Sequence, residues 1–535
     1  MSPEDITRSS GLDGEVVLDK PKATLTQSHG TSTRALTTAT LNGIAANGDP
    51  GKFGRMFGDL PALIVDDAPL IELAEAMVDN PPSNPSGDNR NIPAGFTYLG
   101  QFVDHDITLD TTPLSDQMAD PTATRNFRTP ALDLDSLYGQ SQGIDPQLYA
   151  RISVPPYGPT NKFLIGKTMP SPNEGLDSAL PNDLPRNQVG RAVIGDERND
   201  ENLAIAQTHL AFLKFHNKVI DHLSVQRPEL NGAEQFQEAR RIVTWHYQWI
   251  VLFDFVERLT EPGLVRKIMH KGRRFYRFEK TPFMPAEFSA AAYRLGHSMI
   301  REQYDFNRVF REGGLTPASL ALLFGFTGKS GAIVGELVDD PSTLPTPGIP
   351  GGKLPGLPGN WIIDWRRFYD LDPDLSPNAT RLIDTKLAPM LANLPGERRP
   401  EAILAFRNLR RGSQLGLPSG QAVANAIGVK SLTPEEVATG PAGTIAKKHG
   451  LNSDTPLWFY VLKEAEVIHG GVRLGPVGST IIAETFLGLV HGDHNSFLWQ
   501  RKNWTPELPS SNPDTFTMAD LLRFVDDINP IGKGT

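Results

Sequence analysis

The chain has 535 residues, of which 39% are hydrophobic and 21% are charged, and its formal net charge at pH 7 is −10. This composition is typical of a folded globular protein, and the acidic charge argues against a protein that binds nucleic acid or an anionic membrane surface. The chain contains no cysteine, which excludes disulfide bonds, thiolate metal ligands and cysteine nucleophiles.

Residues 1–50 are rich in Ser, Thr, Gly and Asp and show little hydrophobic periodicity, so we expect an arm that is disordered or wrapped over the body. The first ten residues lack the basic and apolar regions of a secretory signal, and no apolar run approaches the length of a membrane span. We therefore expect no signal peptide and no transmembrane helix, in a cytoplasmic or non-classically secreted protein. The sequence leaves the oligomeric state open.

The stretch Gly100–Asp110 reads GQFVDHDITLD. In a helix, consecutive side chains turn by about 100°, so Asp104, His105 and Asp106 would face three directions. Gln101 would share a face with Asp104 and His105, while Asp106 would point elsewhere. This geometry suits an acid–base histidine on one side and a ligand for a hard cation on the other. A solvated charged turn is the alternative, which the apolar neighbours disfavour.

Asp133 and Asp135 alternate with apolar residues in the stretch 131–139. In an extended segment both carboxylates would lie on one side. With the Thr129 hydroxyl and backbone carbonyls they would form an oxygen-rich cage of the kind that Ca²⁺ prefers. A capped turn without metal is the alternative. Residues 140–190 contain many prolines and are predicted to be loop.

Arg198 and Glu201 lie in the stretch GDERNDEN, which opens a long region of helical periodicity. Once a helix has begun, residues three apart project from one face, so the two side chains could belong to one site. For such a pair in isolation, a surface ion pair within the helix is the commoner outcome. The histidines that follow have no partner at metal-ligand spacing, and we interpret them as structural or surface residues: His209, His216, His222 and His246.

His297 lies among small and apolar residues on a predicted helix. A lone histidine in such a place is more often a core residue than a ligand. Gly296, however, removes a side chain beside it and would let a flat macrocycle approach, and Arg294 could meet an anionic group. Helical periodicity is longest at 203–225, 235–259 and 286–301, and the Pro- and Gly-rich stretch 340–360 is predicted to be a surface loop.

Four motifs, in this order, resemble those of the animal-type haem peroxidases of the peroxidase–cyclooxygenase superfamily. They are Asp-His-Asp at 104–106, Gly-Asp-x-Arg-x-x-Glu at 195–201, Arg-x-Gly-His at 294–297 and Asn-x-x-Arg-Gly at 408–412. The resemblance spans roughly residues 50–530. It implies a mainly α-helical fold with little β-structure, in which a single large haem-peroxidase domain at 51–530 follows the arm at 1–50, and it suggests a bacterial-type member.

The resemblance implies haem b as the cofactor, with His297 as the ligand of the haem iron. Asn408 would accept the Nδ1–H of that histidine and so fix its tautomer. Arg294 and Arg411 would meet the two haem propionates. Residues 413–415, Ser-Gln-Leu, depart from the Arg-Asp-His of the animal enzymes, which puts the local packing in doubt.

On the opposite side of the haem, the resemblance makes His105 the acid–base group and places Arg198 beside the peroxide. Gln101 would hold a distal water or a halide. Asp104 and Glu201 occupy the positions whose carboxylates form esters with haem methyl groups, so up to two covalent links are implied.

The resemblance also implies a calcium site. Its ligands would be Asp106, Thr129, the carbonyl of Ala131, Asp133 and Asp135. Asp135 stands where the mammalian enzymes have serine, so its role is the least certain of the five.

The activity that the resemblance implies is the reduction of hydrogen peroxide through a ferryl intermediate, with a halide, a pseudohalide or a small aromatic compound as electron donor. Two alternatives remain. One is a lipid dioxygenase, since the superfamily includes cyclooxygenases and fatty-acid dioxygenases, which abstract hydrogen with a tyrosyl radical. The cyclooxygenase tyrosine lies three residues before the iron-binding histidine, where this chain has Arg294, with Tyr293 one position away. A peroxinectin-like adhesion protein would keep only a vestigial haem site.

Overall fold

The computed structural model describes residues 53–81, 84–108, 128–152, 158–188, 190–325, 327, 356–394, 397–501 and 503–532. The predicted arm at 1–50 and most of the predicted surface loop at 340–360 lie outside the described residues. The structure is mainly helical, with 47% helix and 9% strand, which confirms the predicted fold class. Across the described ranges, no helix is both long and apolar enough to cross a membrane.

The helices of the described residues are numbered here in chain order. They are α1 (Asp67–Glu75), α2 (Gly95–Ile107), α3 (Asp135–Tyr138), α4 (Leu203–Gln226), α5 (Gly232–Ile250), α6 (Glu257–Leu259), α7 (Leu264–Lys271), α8 (Ala286–Ser289), α9 (Leu320–Gly325), α10 (Leu404–Gln414), α11 (Gly420–Ile427), α12 (Pro434–Val437), α13 (Gly440–Lys448), α14 (Leu457–His469), α15 (Pro476–Gly492), α16 (Phe497–Gln500) and α17 (Met518–Val525).

The strands of the described residues are short and form two-stranded sheets. They are β1 (Phe53–Gly54), β2 (Asp88–Pro93), β3 (Tyr149–Ile152), β4 (Gly158–Phe163), β5 (Met284–Pro285), β6 (Gln303–Tyr304), β7 (Ala318–Ser319) and β8 (Ala379–Arg381). β1 pairs with β5 in parallel, whereas β2 with β8, β3 with β4, and β6 with β7 are antiparallel. The β3–β4 hairpin corrects the prediction of uninterrupted loop over 140–190.

Helix α2 lies in the core, where 11 of its 13 residues are buried. Phe102 stacks on Phe212 of α4 with the ring centroids 4.6 Å apart, and Tyr247 of α5 meets the same ring edge-on at 6.1 Å. Because close-packed interiors leave side chains little freedom, these contacts hold α2 in a fixed rotation. The polar residues of α2 therefore face defined partners.

Two of the three long predicted helices are found, and the third is broken. The region 203–225 is helix α4, and 235–259 is helix α5 continued by a π-helical segment (Val251–Val256) and α6. The prediction for 286–301 was wrong, because α8 ends at Ser289 and a 3₁₀ helix (Ala292–His297) follows. The alanines between them favour helix, so tertiary contacts must override local propensity here.

Candidate active site

The three adjacent polar residues of α2 are all buried and have different partners. His105 Nδ1 lies 2.8 Å from Asn199 Oδ1. Asp106 Oδ1 accepts a hydrogen bond from the Ser136 hydroxyl at 3.0 Å. Asp104 Oδ1 accepts one from the Thr108 hydroxyl at 3.2 Å. The three adjacent side chains thus have separate hydrogen-bond partners.

Gln101, His105 and Glu201 meet on one side of α2. Gln101 Nε2 donates to Glu201 Oε1, and that oxygen lies 3.8 Å from His105 Nε2. Asn202 Nδ2 donates to Gln101 Oε1 at 3.0 Å, and Asn202 also caps the N-terminus of α4. A small polar group that entered here would meet an imidazole, a carboxylate and a carboxamide together.

Arg198 binds the end of helix α2 that follows His105. It lies in a 3₁₀ turn (Glu197–Asp200), and its Nη2 donates to the carbonyl oxygens of His105 at 2.8 Å and Thr108 at 2.7 Å. Its Nε donates to Asp196 Oδ1 at 3.0 Å. A cation at a helix C-terminus is favourable, since the last carbonyl groups carry partial negative charge. Arg198 therefore contacts the main chain of His105, and Glu201 contacts its ring.

The ion pair between Arg198 and Asp196 is buried. Although burial alone would raise it, the pKa of Asp196 is held well below its usual range by Arg198 and by Arg128. Arg128 Nη2 donates to Asp196 at 2.6 Å, and its Nη1 donates to Asp135 at 3.0 Å. Sequence analysis did not find Arg128 or Asp196 as site residues, and the contact between them joins positions 68 apart in the chain.

Asp106, Asp133 and Asp135, here called the carboxylate cluster, can present one oxygen each within 4.8 Å of one another. Burial, and then the charges of Asp135 and Asp133, raise the pKa of Asp106 well above its usual range. Burial and Asp135 raise the pKa of Asp133 to about 7. Three carboxylates that lie this close together repel one another, and oxygen ligands in such an arrangement are of the kind that a hard cation prefers.

The remaining predicted calcium ligands lie in the same loop. Thr129 is exposed, and its carbonyl oxygen accepts a hydrogen bond from the Ala131 amide at 2.8 Å. Ala131 is buried. The structure thus brings the three carboxylates together and leaves the parts of Thr129 and Ala131 as predictions.

His297 and Asn408 form a buried pair on the other side of the candidate site. His297 ends the 3₁₀ helix, and Asn408 Nδ2 lies 2.7 Å from its Nδ1. The nitrogen and oxygen of a carboxamide occupy nearly the same positions after a 180° rotation. With the oxygen facing the ring, the proton is on Nδ1 and the lone pair on Nε2, as an iron ligand requires. Tyr293 of the same 3₁₀ helix donates to the Gly100 carbonyl of α2 at 2.9 Å, which ties the two sides together.

The residues around His297 fit a haem. A methyl group built on Gly296 would meet no atom of the described chain within 4 Å, so there is open space beside the histidine. Arg294, whose Nε donates to the Ser289 carbonyl at 2.9 Å, is half-buried, and Arg411 is buried on α10 together with Asn408. An imidazole, open space beside it and two arginines are groups that suit a haem with two propionates.

Comparison with known proteins relates the chain to haem peroxidases. The family described as "Animal haem peroxidase" matches residues 111–322. The chorion peroxidase of Aedes aegypti is 22% identical over 333 residues, which is 61% of this chain and 37% of that protein. The chain spans well under half of the length of the curated relatives it matches. Whether the chain is of the bacterial type stays a prediction.

Two solved structures share the fold. Peroxidase A from Dictyostelium discoideum superposes with a TM-score of 0.56 at 16% identity, covering 93% of this chain and 98% of the other. A fatty acid alpha-dioxygenase from Oryza sativa superposes with a TM-score of 0.52 at 13% identity, covering 90% of this chain and 80% of the other. At such low identities the likeness concerns the fold alone.

Proposed function

We propose that the chain, whose residues 111–322 match the animal haem peroxidase family, is a haem peroxidase that reduces hydrogen peroxide at the expense of a small electron donor. The main observation in support of the proposal is the environment of His105. This imidazole is buried, its Nδ1 is held by Asn199, and its Nε2 is on the side of Gln101 and Glu201. A positioned, neutral imidazole is the group that acid–base catalysis on peroxide needs.

The haem would be held by His297 through Nε2, with Asn408 accepting the Nδ1–H. Arg294 and Arg411 would bind the propionates, and Asp104 and Glu201 would provide the carboxylates for ester links. When bound, haem supplies the redox chemistry that passes two electrons to the peroxide. A hydrogen bond to Nδ1 makes the imidazole a stronger electron donor to a metal, so Asn408 would tune that chemistry.

The protein side chains would move the proton and stabilise charge. His105 Nε2 would take the proton from one peroxide oxygen and deliver it to the other as the O–O bond breaks. Arg198 is always cationic and would stabilise the negative charge that develops. Two electrons from the donor and two protons complete the reduction of one peroxide to two waters. A halide, a pseudohalide or a small aromatic compound could provide the electrons, and Gln101 would hold a distal water or the halide.

We propose further that the carboxylate cluster binds Ca²⁺, with the Thr129 and Ala131 oxygens as additional ligands. Arg128 bridges Asp135 of the cluster to Asp196, which in turn holds Arg198. A calcium ion bound at the carboxylate cluster would thus help to fix, through Arg128 and Asp196, the position of the segment that contains Arg198.

An absorption spectrum tests the proposed activity. Purified protein supplied with haem should show a Soret band that shifts on addition of one equivalent of hydrogen peroxide and returns when iodide, thiocyanate or a phenol is added. Free haem treated in the same way is the control. A chain that binds no haem, or whose Soret band does not respond to peroxide, would contradict the proposal and favour the adhesion role.

A variant of Tyr293 separates the peroxidase from the fatty-acid dioxygenase alternative. Dioxygenases of the superfamily abstract hydrogen with a tyrosyl radical, but the Tyr293 hydroxyl is bound to the Gly100 carbonyl. We expect Tyr293→Phe to leave donor oxidation by peroxide unchanged and to lower the free energy of unfolding by about 1 kcal/mol, for the lost hydrogen bond. Tyr460→Phe, which also removes a hydroxyl bonded to the main chain, is the matched control. Oxygen uptake with a fatty acid that Tyr293→Phe abolishes would establish the dioxygenase instead.

A further inference from the structure

Asn199 lies between two buried histidines and contacts both. Its Oδ1 is 2.8 Å from His105 Nδ1, and its Nδ2 is 2.9 Å from His209 Nδ1. All three side chains are almost fully buried, with exposed fractions of 0% for Asn199, 1% for His105 and 0% for His209. Because these side chains are shielded from bulk water, the hydrogen bonds between them are stronger than they would be at the surface.

With its oxygen toward His105 and its nitrogen toward His209, as the structure places them, the Asn199 carboxamide determines where the ring protons are. Its oxygen can only accept, so His105 Nδ1 carries a proton and donates it. Its nitrogen can only donate, so His209 Nδ1 has the lone pair and accepts. The arrangement requires His209 to be neutral, which agrees with its surroundings, because burial lowers the pKa of His209 to about 3. A neutral His105 with its proton on Nδ1 has its lone pair on Nε2.

We infer that Asn199 and His209 are positioning residues that fix the tautomer and the ring plane of His105, so that Nε2 faces the substrate as a proton acceptor. The inference rests on the proposed function, because it concerns the histidine that would act on peroxide. It changes the interpretation of His209, which the sequence alone suggests to be merely structural.

His209 has a separate part in this arrangement, because it selects the orientation of the amide. Without an acceptor at His209 Nδ1, the Asn199 carboxamide could rotate and donate to His105 Nδ1, which would move the ring proton to Nε2. That tautomer could not take a proton from peroxide. Phe102 meets the His209 ring edge-on at 5.8 Å, and its stacking on Phe212 holds it in place. The packing of α2 on α4 therefore holds the hydrogen-bonded residues His105, Asn199 and His209 in position.

The sequence places both positioning residues in one segment. Asn199 belongs to the 3₁₀ turn that carries Arg198, and His209 lies on α4, which begins directly after that turn. A single segment thus presents Arg198 to the main chain of His105 and Asn199 to its ring.

The carbon monoxide complex of the reduced, haem-loaded protein reports this tautomer. An N–H donor that points at bound carbon monoxide lowers the C–O stretching frequency, whereas a lone pair does not. The infrared spectrum would be compared among the wild type, Asn199→Leu, Asn199→Asp and His209→Phe. Asp keeps the acceptor for His105 Nδ1–H, while Leu has similar volume and no polar atom. His216→Phe removes another buried histidine of α4, which contacts Tyr138 and Asn161 instead, and is the matched control.

We expect the wild type, Asn199→Asp and His216→Phe to share one high-frequency band, and Asn199→Leu and His209→Phe to move to lower frequency. The same two variants should lose about a hundredfold in the rate of reaction with peroxide, since a misplaced catalytic group can cost that much. Bands that stay at the wild-type position in both variants would overturn the inference while leaving the proposed function intact. A chain that binds no haem would overturn both.

Discussion

Replacing His105 with glutamine should lower kcat/KM for hydrogen peroxide by about a hundred- to ten-thousandfold, with haem still bound. This is the range that a positioned general acid–base group contributes. Glutamine is polar and close in size to histidine, but it does not transfer protons near neutral pH. Stopped-flow absorbance at the Soret band would measure the reaction with peroxide separately from the oxidation of the donor.

The control for this experiment is another histidine that is not part of the site. His222 lies on α4, half-buried, and packs edge-on against Phe524 with the ring centroids 5.8 Å apart. His222→Gln should keep the wild-type rate. If His105→Gln retains a rate close to that of the wild type, a different group must act on the peroxide and the proposed assignment is wrong.

The sequence predicted that Asp104, His105 and Asp106 of α2 would have different surroundings. The 100° rotation per residue is a property of every α-helix, so three adjacent polar residues had to face three ways once the segment was helical. Burial of the whole helix follows from its apolar residues, such as Phe102 and Val103. Local periodicity was sufficient here, because the prediction needed no information about distant parts of the chain.

The partners of these residues could not be predicted, because tertiary packing selects them. Asn199 is 94 positions from His105 in the chain, and Asp196 is 68 positions from Arg128. No sequence spacing relates such pairs. The helix predicted over 286–301 failed for the same reason. Its alanines permit an α-helix, but the segment forms a 3₁₀ helix. In that conformation the Tyr293 hydroxyl donates to the Gly100 carbonyl of α2, and the Trp458 indole donates to the Arg294 carbonyl.

The stabilisation of the protein by Ca²⁺ should increase as the pH rises from about 4 to about 7, because the ion offsets a loss of stability at Asp133. Burial and Asp135 raise the pKa of Asp133 from 3.8 to about 7 in the folded chain. At this carboxylate the folded state binds more protons than the unfolded state within the window, so the contribution of Asp133 to the free energy of unfolding falls as the pH increases. Asp133 alone would account for roughly 2–4 kcal/mol. Bound Ca²⁺ supplies the counter-charge that the protons otherwise provide, so it should remove the loss.

Urea unfolding of metal-stripped and calcium-supplemented protein, at several pH values between 4 and 8, measures this difference. Asp133→Asn should flatten the pH dependence of the metal-stripped protein and weaken calcium binding, because an amide cannot be deprotonated and brings no charge. Asp221→Asn is the control, since Asp221 is exposed and paired with Lys162 on the surface. Parallel pH curves with and without Ca²⁺ would show that the carboxylate cluster does not bind the ion. Curves that diverge between pH 4 and 7 and keep a constant separation above pH 7 would instead identify the three carboxylates as its ligands, since protons and the cation would then compete for the same oxygens.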